Sequence, residues 1–150
     1  MRISGVLVPL VLAAALALAP AHFPARPGWH VGAARIDARS VVSWAATVRW
    51  RDCAGCLPHR TLERLPRGGI AVQLFLSDTK GPRWVKPMRW PPRLRPITSL
   101  EGLPRRVGVV QRLGRLRGLE AYLFVFFGRP QPTARQLARA RVELAGARLP

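Results

Sequence analysis

Apolar side chains recur at alternate positions in two stretches of the first half of the chain, the period of a strand with one face against a core. Over residues 41–50, Val42, Trp44, Ala46, Val48 and Trp50 share one side while Ser43, Thr47 and Arg49 take the other, which predicts a half-buried strand. Ile70, Val72, Leu74 and Leu76 repeat the pattern. An earlier strand is expected over 29–36, weakened by Gly32 and its alanines. Between these strands, 58–65 reads as a short helix: Pro58 suits a first turn, and Pro66-Arg67-Gly68-Gly69 stops it.

The second half begins differently. Residues 80–96 read KGPRWVKPMRWPPRLRP, with five prolines and no acid, so extended or polyproline structure is expected there. Two strand-like runs, 107–116 and 119–127, then flank Arg117-Gly118, a hairpin signal. Positions 122–127 are apolar on both faces, the mark of a buried central strand. Thr133 and Gln136 fit a capping box opening a helix that runs to about Ala145. Leu137, Ala140 and Leu144 would face the core and Gly146 would end the helix. The sum is an α+β fold, a small antiparallel β-sheet with a C-terminal α-helix packed on one face.

The amino end has the pattern of a secretory signal peptide over residues 1–21. Arg2 supplies a positive start, residues 3–18 carry no charge, and Ala19-Pro20-Ala21 places small residues for a cut after Ala21. A cut after Ala19 would put Pro20 at the +1 position, which signal peptidase disfavours. The alternative is an uncleaved anchor, since about 19 apolar residues just span a bilayer; Pro9, Pro20 and the small-residue ending weigh against it. Residues 22–28 then form a loose, Pro-containing leader, and 29–150 a single domain, long enough to bury a core.

Charge narrows the partners. The formal net charge is +18, and nearly every base is Arg; loss of Arg2 leaves 24 bases against 7 acids, or +17. Export turns this charge away from nucleic acid, and neither zinc-finger spacing nor an RNA-binding aromatic signature is present. The available anions are then lipid headgroups and phosphate-bearing or otherwise acidic wall polymers. Lys80, Arg83, Lys86, Arg89, Arg93 and Arg95, interleaved with Trp84 and Trp90, form the candidate contact segment. Its composition is similar to that of short Trp/Arg/Pro-rich antimicrobial peptides. The plainer alternative is a covering loop whose two tryptophans complete the core.

Cys53-Ala54-Gly55-Cys56 admits three readings. A structural disulfide closes so small a loop that it contributes roughly 2 kcal/mol, and oxidation is the default outside the cytoplasm. Redox chemistry is the second, because a helix start stabilises an attacking thiolate. Strand, CxxC, short helix and strand, followed by Pro104, a hairpin and a final helix, is an order that resembles the thioredoxin family. That resemblance implies Cys53 as the attacking thiol, Cys56 as the resolving one and Pro104 as a cis-proline facing the pair; Trp50 stands three residues before Cys53 instead of beside it. A metal site is third: Cys53, Cys56 and His59 are plausibly spaced, but a closed zinc site needs a fourth ligand.

No other chemistry is signalled. The carboxylates Asp37, Asp52, Glu63, Asp78, Glu101, Glu120 and Glu143 are thinly spread, no serine sits in a nucleophile elbow, and no cofactor is called for. The stretches RDCAGCLPHRTL, GIAVQLFLSD and EAYLFVFFGRPQPTARQL resemble uncharacterised exported proteins of high-GC Gram-positive bacteria. The expectation is a non-enzymatic exported module that binds anionic envelope surfaces, with an extracytoplasmic thiol-disulfide oxidoreductase as the alternative.

Overall fold

The structure is a computed structural model that describes residues 17–79, 81 and 84–150. Most of the expected signal peptide, through Leu16, lies outside the described residues, as do Lys80 and Arg83 of the basic segment. The fold class is α+β, as the hydrophobic pattern implies. Strands β1 (His30–Asp37), β2 (Ser40–Ala46), β3 (Ile70–Ser77), β4 (Gly108–Leu116) and β5 (Leu119–Phe127) form one antiparallel sheet in the order β1-β2-β3-β5-β4. Helices α1 (His59–Glu63) and α2 (Ala134–Ala145) complete the elements.

The β4–β5 hairpin turns where the sequence places it. Arg117 (φ 50°) and Gly118 (φ 78°) are both left-handed, the backbone a tight two-residue connection requires. The connection from β3 to β4 is long, so β4 ends at the sheet edge and β5 returns between the two. At α2, Thr133 Oγ1 accepts the Gln136 N–H at 3.1 Å while Gln136 Oε1 accepts the Thr133 N–H at 3.0 Å, the expected capping box. The same Gln136 amide donates to Arg67 O at 3.0 Å, tying the helix start to the turn before β3.

Both faces of the sheet are covered. On the first, Val41, Ala45, Val72, Leu74, Leu123, Val125 and Phe127 lie beneath Ala140 and Leu144 of α2, Ala21 and Phe23 of the amino end, and Leu94. On the second, Ala46, Ala71, Val109 and Phe126 lie beneath Leu62 and Leu65 of the α1 region and Val107. This corrects the expectation for β2. The strand ends at Ala46 rather than Trp50, and Val41, Val42, Ser43, Ala45 and Ala46 are all buried, so it is covered on both sides. Beyond it the chain leaves the sheet and Trp50 folds back, its ring stacked on Trp44 at 5.6 Å.

The fold also begins earlier than residue 29. Ala21 is fully buried, and its carbonyl accepts the hydroxyl of buried Ser43 at 2.5 Å. His22 and Arg148 exchange both backbone hydrogen bonds, at 2.9 and 2.8 Å, and Phe23 is buried. The leader expected to be loose is anchored at its first two residues by this pairing and by apolar burial. Among the described residues no helix is long and apolar enough to cross a membrane.

Candidate anion-binding surface

An edge strand such as β4 offers unpaired N–H and C=O groups that need cover. The Pro-rich segment and Thr98 just beyond it supply it: Met88 N–H donates to Arg115 O at 2.7 Å, Arg115 N–H to Lys86 O at 2.8 Å, and Thr98 and Val109 exchange two bonds of 2.8 Å. Prolines, lacking the N–H, are tolerated in such an edge position. Gly114 permits the approach, because a Cβ there would stand 2.7 Å from Met88 Cβ and 3.0 Å from Lys86 O. Arg112 of β4 completes the attachment, donating from Nε to Arg93 O at 2.8 Å and from its terminal nitrogen to Arg95 O.

These bonds divide the expected contact residues into two groups. Trp90 is structural: its ring is half-buried against the first face and its indole N–H donates to Leu144 O, near the end of α2, at 2.9 Å. Trp84 stands 69% exposed. Lys86, Arg89, Arg93 and Arg95 are exposed, with Arg93 and Arg95 at the rim of a cleft of about 600 Å³. Ile97 and Arg112 form further walls, with Leu137 contributed by α2. The Trp90–Pro91 and Arg95–Pro96 peptide bonds are cis. Sequence reasoning missed Arg112 and the α2 wall, which carry no local signal because the topology alone brings them to the segment.

Elsewhere, arginines are bonded to carbonyls in place of acids. Arg106 donates to Leu62 O, Glu63 O and Leu65 O at 2.9, 2.9 and 2.7 Å, a cation on the carbonyls at and just beyond the end of α1. Arg35 does the same for Leu18 O and Arg115 for Gly81 O. Among the described residues the ion pair present is Arg26–Glu143, at 3.8 Å. Glu143 is 1% exposed and neither carboxylate oxygen has a hydrogen-bond partner. Burial therefore pushes its carboxyl above the usual carboxylate value, with Arg26 pulling the other way.

Cys53 and Cys56 are joined in a disulfide, with their Cα atoms 5.2 Å apart. Buried Gln73 of β3 holds this loop to the sheet, its amide donating to Ala54 O at 3.1 Å and Cys56 O at 2.9 Å. The loop borders a shallow groove of about 330 Å³ floored by Phe75, Tyr122 and Phe124. The start of α1 serves Asp52 rather than either cysteine: the Arg60 and Thr61 N–H groups donate to its carboxylate at 3.1 and 2.8 Å. Pro104 is not preceded by one of the cis bonds; its carbonyl accepts the Val107 N–H at 3.0 Å in a turn. His59 is exposed, and among the described residues no three His, Cys, Asp or Glu side chains gather where a metal could bind. No family model matches the chain, and no curated protein or solved structure is significantly similar to it.

Proposed function

We propose that this protein is an exported, non-enzymatic module that docks on anionic envelope surfaces, lipid headgroups or phosphate-bearing wall polymers, through the edge-strand segment and its arginine cleft. One observation carries the reading: Arg93 and Arg95 stand exposed at the rim of a cleft whose third arginine, Arg112, holds their backbone, and no described carboxylate pairs with them. Phosphate oxygens are the natural acceptors for such guanidiniums. Exposed Trp84, with Lys86 and Arg89 nearby in sequence, has the chemistry of an interfacial anchor. Its position in an oxidising compartment accords with the closed Cys53–Cys56 disulfide and with a signal peptide at the amino end.

The test is co-sedimentation with phosphatidylglycerol vesicles, phosphatidylcholine vesicles and a glycerol-phosphate polymer at two salt concentrations. Binding to the anionic partners that falls with salt is expected. Equal pelleting with both vesicles, or none with any partner, contradicts the reading.

Thiol–disulfide exchange stands second, on the observation that the exposed disulfide borders an apolar groove able to accept an extended chain. Insulin-reduction turnover tests it; a protein without turnover removes it.

A further inference from the structure

Any signal peptide cut that leaves a folded chain must spare the residues built into the fold. Residues 18–23 are such residues. Leu18 packs against the first-face core and its carbonyl accepts the Arg35 guanidinium at 2.5 Å. Ala21 is fully buried, and its carbonyl is the acceptor for Ser43, a side chain that is itself buried. His22 closes two backbone hydrogen bonds with Arg148, and Phe23 is buried beside them. A cut after Ala21 would remove Leu18 and Ala21 from the core, leave the Ser43 hydroxyl buried without its acceptor, and place a new ammonium charge on His22 at the edge of that core.

From these contacts we infer that the signal peptide is removed further upstream, at the Ala17–Leu18 bond. The inference rests on the export reading and refines where processing occurs. Ala15-Leu16-Ala17 places small residues at −3 and −1, and Leu18, unlike Pro20, is an acceptable +1 residue. The apolar run from Ile3 to Leu16 is 14 residues, within the length of a signal-peptide apolar region. Ala17 is exposed, so the fold neither needs nor buries it. Hydrolysis adds one water across the peptide bond, giving a carboxylate on Ala17 and an ammonium on Leu18. The mature chain then begins Leu18-Ala19-Pro20-Ala21 and keeps every contact described above.

Expression of the full chain in an export-competent bacterium, followed by amino-terminal sequencing and intact mass of the exported protein, tests this. A start at Leu18 is expected. Two variants separate the sites without touching a buried side chain. Ala19→Leu blocks cutting after Ala19 and disables the −3 position for a cut after Ala21, and is expected to leave the Leu18 start unchanged. Ala17→Leu is expected to lower the yield of the Leu18 species at least tenfold. A wild-type start at His22, or at any residue other than Leu18, overturns the inference while export stands. An intact chain beginning at Met1 overturns both the inference and the cleaved-signal reading on which it rests.

Discussion

Ser43 and Glu143 are both polar side chains buried against the same apolar layer, and their surroundings treat them in opposite ways. The Ser43 hydroxyl has the Ala21 carbonyl as acceptor, so the burial of both groups is compensated. Ser43→Ala leaves that carbonyl without its donor and is expected to cost about 1–3 kcal/mol in a denaturant titration. Glu143 has only a distant Arg26 and two oxygens without partners. Because its carboxyl value is raised in the folded state, the folded chain holds the proton more tightly than the unfolded one. The resulting stabilisation is fully present below the ordinary value of 4.5 and is lost as pH rises through the raised folded value. Glu143→Gln removes the titrating group and keeps its shape. Thermal melts at several pH values from 4.5 to 7 should show a flatter fall in stability for the variant than for the wild type. An unchanged slope would place the pH dependence elsewhere.

Elements with local signals were legible in the sequence. The 107–127 hairpin, the capping box at Thr133 and Gln136 and the alternation over β3 depend on residues a few positions apart, and all three stand where the pattern puts them. Thr133→Ala removes the hydroxyl that accepts the Gln136 N–H and is expected to cost about 1 kcal/mol, read as a lowered midpoint of thermal unfolding. Elements whose state depends on distant neighbours were not legible. Ser43 looks like a solvent-facing position in an alternating run, yet a segment more than twenty residues upstream covers it. The basic segment was visible by composition as a candidate, but its pairing with β4, the Arg112 clamp on its carbonyls and the use of Trp90 as a fastening to α2 all come from long-range topology. So one tryptophan of the pair belongs to the core, as the covering-loop alternative has it, and the other stands free.

At the scale of the molecule, 25 bases against 7 acids set the problem that the structure answers in part. Several arginines are engaged as donors to backbone carbonyls, which fixes them without neutralising them. Their charge, with that of the exposed arginines, remains available to a partner that supplies anions at high surface density, and attraction of that kind is screened by salt. In the docking proposed here, Arg93 and Arg95 make this attraction local. The most direct measurement compares the wild type with Arg93→Gln/Arg95→Gln on phosphatidylglycerol vesicles over a salt series, with circular dichroism confirming the variant's fold. The folded double variant is expected to lose affinity about tenfold or more at low salt, with the difference closing as salt is raised. Equal binding by the two proteins at every salt concentration would contradict it.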